Sequence, residues 1–197
     1  MPAALTPVDA RLMLTLAADD AHRSEISLQA PFPAPYRELW RIEAAFAPIP
    51  STSAQAIQAF FEALDGRAKA VRWPLTAPVW GNTPPAGVTL AGSVAAGAEV
   101  LSLSIPSGTV FAGTLIGLGD VETAQFQLFE VSADVSAGAS VTTPVAPRAR
   151  RAFASNTPFQ IGSVNARFYL ATDASGMATI RVNGAADLQI SAVEAVQ

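Results

Sequence analysis

Apolar and polar residues alternate along the first third of the chain. Leu12, Leu14 and Leu16 share one face, with Arg11, Met13 and Thr15 opposite. A period of two is that of a strand with one buried face. Ile26, Leu28 and Ala30 repeat the pattern against Ser27 and Gln29. From Tyr36 to Phe46 the alternation predicts a strand with Trp40, Ile42, Ala44 and Phe46 facing inward and Arg41 and Glu43 facing out. Pro31, Pro33 and Pro35 cannot donate to a ladder and mark a connection. The period then changes once. Thr52 and Gln55 stand at capping-box spacing after Pro50, and Ala54, Ile57, Phe60, Phe61 and Leu64 form a helical stripe that stops at Gly66. This predicts one helix over about 53–65. Arg67 and Lys69 follow where cations suit the helix dipole.

A strand around Ala70 to Pro74 leads into Pro78, Gly81, Pro84 and Pro85, a turn-rich break that reads as a module boundary. From Gly87 to about Asn165 the composition shifts to Gly, Ala, Ser, Thr and Val. Short alternating segments recur there at Val100–Ser104, Thr109–Leu118, Gln125–Ser132, Ala139–Thr143 and Phe159–Val164. Strands at this spacing suggest a small sandwich or barrel. Arg167–Thr172, Ala178–Val182 and Leu188–Val193 close the chain, joined by Ala174-Ser175-Gly176 and by Asn183-Gly184, a strong hairpin signal. The expected organisation is mainly β: residues 1–84 with 166–197 form one domain, and 85–165 form an inserted β-rich module.

Half of the 197 residues are apolar and only 14% are charged, so burial can offset the entropy of ordering and the chain folds. No apolar run approaches the roughly 20 residues of a membrane span. Met1 to Ala10 lacks a basic region leading into an apolar core, so no secretory signal is expected. The absence of cysteine removes disulfides and thiol chemistry, and a single histidine, His22, removes poly-His metal sites. The net charge of −4 argues against a nucleic-acid surface. Its distribution is uneven. Residues 73–147 carry five acids (Glu99, Asp120, Glu122, Glu130 and Asp134) and no base.

Motifs for catalysis are missing: there is no Walker loop, no G-x-S-x-G elbow, no H-E-x-x-H and no dinucleotide fingerprint. No catalytic, cofactor-binding or metal-binding residue is therefore assigned. Asp19, Asp20 and His22 read as a solvated hairpin tip rather than a metal site, and Gly117, Gly119 and Asp120 as a β-turn rather than a phosphate loop. Trp73, Trp80 and Phe111 are the aromatics to weigh, either as core or as sugar-binding faces; Trp80 and Phe111 are the candidates for exposed binding aromatics. Arg148, Arg150 and Arg151 form a basic cluster after the acidic middle. It is either an electrostatic contact to an acidic surface, such as the middle of a neighbouring copy, or a solvated edge that resists stray strand pairing.

The order of elements resembles the distal tail, or tail hub, proteins of long-tailed bacteriophages. The resemblance lies in Trp40-Arg41-Ile42 running into Ala47-Pro48-Ile49-Pro50, then the helix ending in Leu64-Asp65-Gly66-Arg67, then a strand with Val71 and Trp73. Ala91-Gly92-Ser93, Gly119-Asp120 and the Pro147-Arg148-Ala149-Arg150 run are similar to an inserted β-module of tail proteins, and Ala166 to Ala171 with Val193 to Gln197 are similar to the closing strands. The resemblance implies an antiparallel β-sandwich belt domain with one helix and an inserted small sandwich or barrel. It further implies a structural virion protein, without enzymatic activity or cofactor, assembled in the host cytoplasm into a ring, a hexamer, in the tail. Its partners would be its own copies, the tail tube protein, other tail-tip or baseplate proteins and a host surface glycan. A closed ring needs strand edge and apolar surface to share and little net charge to oppose packing, which this composition provides. A carbohydrate- or receptor-binding module is the alternative from another class. A carboxylate-pair glycosidase or lyase, and another minor tail or tail-completion protein, complete the readings.

Overall fold

In the computed structural model the described residues are 7–17, 37–50, 70–122, 125–170, 178–180 and 185–195, together with 55–56, 59–60 and 63. They form two antiparallel six-stranded sheets and almost no helix. The first sheet contains β1 (Pro7–Ala17), β2 (Arg37–Pro50), β3 (Val71–Leu75), β10 (Val164–Leu170), β11 (Ala178–Ile180) and β12 (Ala185–Glu194). Its order is β1-β2-β12-β10-β3, with β11 also paired to β12. The second contains β4 (Thr89–Leu90), β5 (Val100–Val110), β6 (Leu115–Leu118), β7 (Gln127–Val131), β8 (Val135–Ala146) and β9 (Phe159–Ile161), in the order β4-β5-β8-β7-β6-β9. It curls around its own core, nearly closed like a barrel, and Val94 bridges Phe153 outside the named strands.

The alternation of β2 is realised as it reads in the sequence: Trp40, Ile42, Ala44 and Phe46 are buried and Arg41 and Glu43 are half-buried on the other face. The strand runs on to Pro50, because Ile49 and Pro50 pair with Ala186 and Ala185 of β12. The stretch Thr109–Leu118, which reads as one segment, is two strand pieces with a turn between. β5 ends at Val110, the chain reverses through Phe111–Gly113 with Gly113 at a φ of 84°, and β6 starts at Leu115. The Thr114 hydroxyl donates to the Phe111 carbonyl at 2.7 Å and closes that turn. The expected helix over about 53–65 lies mostly outside the described residues; Gln55, Ala56, Ala59 and Phe60 within it are helical, and the Ala63 N–H donates to the Ala59 carbonyl at 3.0 Å. The Ile26–Ala30 strand and the Asn183-Gly184 turn fall outside the described residues.

The whole second sheet leaves and re-enters the first between two neighbouring strands. Leu75, the last residue of β3, lies opposite Val164, the first of β10, and the pairing continues to Val71 opposite Phe168. Everything between Leu75 and Val164 is thus one excursion from a hydrogen-bonded pair. The sheets then share a core. Trp40, Ile42 and Phe168 from the first pack in one cluster with Leu115 and Leu128 from β6 and β7, while Leu101, Ile116, Phe129 and their neighbours fill a separate core inside the second sheet. β7 accordingly faces both ways, with Leu128 toward the first sheet and Phe129 and Val131 toward the second core.

The close approach depends on Gly117. A Cβ there would lie 2.7 Å from Val164 Cγ1 and 2.9 Å from Phe126 Cε2, so β6 reaches β10 only with no side chain at this position. Gly117→Val should therefore lower stability by about 1–3 kcal/mol through overpacking, read as a fall in Tm of roughly 2–4 °C per kcal/mol. An unchanged thermal midpoint would show that the sheets do not meet there.

Candidate functional site

Two arrangements at the contact between the sheets carry the charged side chains of most interest. The first is a buried joint. Period two in β12 places Ile190, Ala192 and Glu194 on its inner face, so the strand carries a carboxylate into the core. The Glu194 side chain is 3% exposed. Arg150, from the turn after β8, reaches it with both guanidinium nitrogens: Nη2 to Oε2 at 2.7 Å and Nη1 to Oε1 at 3.1 Å. Arg150 Nη2 also donates to the Glu38 carbonyl at 2.6 Å, and the Trp40 N–H to Glu194 Oε2 at 3.4 Å. One guanidinium from the second sheet thus binds two strands of the first. A forked donor meeting a planar carboxylate fixes orientation as well as distance.

The turn that presents Arg150 is held from below. β7 pairs with β8 only at Glu130 and Val131. Beyond that point the buried Gln127 amide takes over, with Nε2 donating to the Arg148 carbonyl at 2.9 Å and Oε1 accepting the Arg150 N–H at 2.8 Å. The adjacent Leu128 carbonyl accepts the Trp40 indole N–H at 3.0 Å. Glu194, Gln127 and the Trp40 indole therefore act together, although residues 40, 127 and 194 are far apart in sequence.

The three arginines of the basic cluster separate. Arg150, a candidate interface residue with the other two, is turned into the joint, where its charge is paired within the chain by Glu194. Arg148 is exposed and Arg151 half-buried. The aromatics separate too. Trp80 is 8% exposed, a correction to its reading as a surface aromatic: its N–H donates to the Thr76 carbonyl at 3.2 Å, and this turn folds the indole edge-to-face onto the buried Trp73, with ring centroids 6.4 Å apart. Phe111 is 50% exposed. Asp120 Oδ1 accepts the Glu122 N–H at 3.0 Å, an Asx turn that follows the Gly119 φ of 99°. Asp19, Asp20 and His22 lie outside the described residues.

The second arrangement is a cleft of about 330 Å³ between β1 and the β5–β6 turn, walled by Leu12, Val79, Trp80 and Leu115 and holding Glu130 and Asn82. Glu130 follows Leu128 on the face of β7 that looks toward the first sheet, where it is half-buried. Desolvation pushes its pKa up. No ion pair forms at Glu130 among the described residues. No group of three or more His, Cys, Asp or Glu able to hold a metal ion occurs among the described residues. No helix among them is long and apolar enough to cross a membrane. No protein-family model and no curated protein sequence matches the chain.

Truncating Arg150 leaves a buried carboxylate without its cation, so Arg150→Ala should cost about 3–5 kcal/mol. Arg148→Ala, at an exposed site, should change stability by no more than about 0.5 kcal/mol. Chemical denaturation of both variants checks this, and equal effects would contradict the joint. Glu130 has the opposite sign. Its raised folded-state pKa means the native protein favours the protonated acid, and that contribution is lost as pH rises through the folded value. Glu130→Gln should therefore raise Tm at pH 7, and the advantage should vanish at about pH 3, below the ordinary glutamate range. A Glu130→Gln protein no more stable than wild type at pH 7 would contradict the cost of that burial.

Proposed function

We propose that this chain is a structural protein of a bacteriophage tail, a subunit of an oligomeric ring at the tail hub that joins the tail tube to the host-recognition tip. The observation that carries the reading is the outer strand of the first sheet. β1 spans Pro7–Ala17 and, among the described residues, pairs with β2 alone. Strand β3 at the opposite edge pairs with β10 alone. A long unpaired edge is a template for another chain, and monomeric proteins commonly block it. Two different edges on one subunit suit a head-to-tail contact, which closes into a ring when the rotation per copy divides a full turn.

In this reading the first sheet, completed by the helix over about 53–65, is the sandwich belt, and residues 85–165 are the inserted module. The joint at Arg150 and Glu194 makes the module a stiff projection rather than a tethered one. The work done is mechanical: subunits hold one another and present a surface to tail-tip partners. The sequence resemblance to tail hub proteins supports the same assignment.

A carbohydrate-binding module receives less support, because the Trp80 indole is buried against Trp73, so that of the two candidate aromatics Phe111 alone is exposed. Light scattering and negative-stain microscopy of the purified protein should show concentration-dependent rings or their arcs. A strictly monomeric particle at high concentration would overturn the ring, and saturable glycan binding lost on Phe111→Ala would favour the module.

A further inference from the structure

We propose that the cleft beside β1 receives the Arg148 side chain of a second copy of this chain, its guanidinium paired with Glu130. The inference rests on the ring reading and specifies its contact. The host site is a cleft of mixed polarity with a carboxylate in it: Leu12, Val79, Trp80 and Leu115 line it beside Asn82 and Glu130. That combination matches a side chain with an aliphatic stem and a cationic head. Val79 is 42% exposed, an apolar rim left open in the free subunit.

Among the described residues no cation pairs with Glu130. Residues 73–147, which include Glu130, contain no Lys or Arg. Burial therefore works against the ionised Glu130 in the isolated subunit, and a cation arriving from outside removes that penalty. Groups held at a cost to stability are concentrated at functional sites.

Arg148 is the guest the structure prepares. It is exposed and makes no ion pair among the described residues; Arg11, Arg41, Arg72 and Arg150 are engaged within their own copy, and Arg151 and Arg167, which also lack an ion pair among the described residues, are half-buried. Gln127 grips the backbone on both sides of Ala149, taking the Arg148 carbonyl and the Arg150 N–H. The Arg148 side chain thus projects from a fixed turn, which lowers the entropy lost on docking. Host and guest are different patches, as a head-to-tail contact requires. Leu12, in the cleft wall, belongs to β1, so a neighbour pairing along that edge lies over the cleft.

The test is a charge-exchange cycle read by sedimentation, with thermal denaturation confirming that each variant is folded. E130Q and R148A should each weaken self-association at least about tenfold. E130R and R148E should each abolish it, and the double variant E130R/R148E should restore it to within about tenfold of wild type. Self-association of the wild type with E130Q and R148A unchanged would overturn the pairing and leave the ring standing. A wild type that never associates would overturn both.

Discussion

The bidentate contact between Arg150 and Glu194 fixes one sheet against the other, and the remaining features of the molecule depend on that placement. Neither charge would be stable where it lies without its partner, because removing an ion from water costs several kcal/mol. The pair therefore need not make the fold much more stable than an apolar substitute would. What it does is admit one arrangement: the fork of the guanidinium must meet the plane of the carboxylate, with the Glu38 carbonyl at the same nitrogen. Sliding the sheets would leave a buried carboxylate and a half-buried guanidinium unpaired. The apolar cluster of Trp40, Phe168, Leu115 and Leu128 supplies the driving force, and the ion pair selects the register.

The topology explains why such a lock is needed. The second sheet is tethered to the first through two chain crossings, both at the β3–β10 pair. A body held at one place can swing. Gly117 lets β6 lie against β10 near the tether, and Arg150 ties the turn after β8 to β12 and β2. Three points of attachment restrain the two sheets, and with them the shape of the cleft between β1 and the β5–β6 turn.

The strands of the first sheet were legible because they obey period two with one buried face, and the β2 alternation from Trp40 to Phe46 is the clearest case. The same rule places Glu194 in phase with Ile190 and Ala192, so the buried carboxylate was readable in principle: a charge on the inner face of a strand calls for a partner. The partner was not readable. Arg148, Arg150 and Arg151 look alike in sequence, and only the long-range meeting of residues 150 and 194 separates the one that turns inward from its neighbours. Trp80 misled for a related reason. Its Pro- and Gly-rich surroundings mark a surface loop, yet the turn from Thr76 returns the indole to Trp73. Glu130 gave no local signal, since its importance comes from the cleft that β1 and the β5–β6 turn build around it.

Hydrogen exchange of the native protein tests the central claim, that the joint makes the two sheets one cooperative unit. The amides of β2 and β12 should share a single opening free energy with those of β6 and β7, and guanidinium chloride should release all four strands together. If the β6 and β7 amides keep their protection while those of β2 and β12 exchange, the sheets are independent and the joint does not unite them.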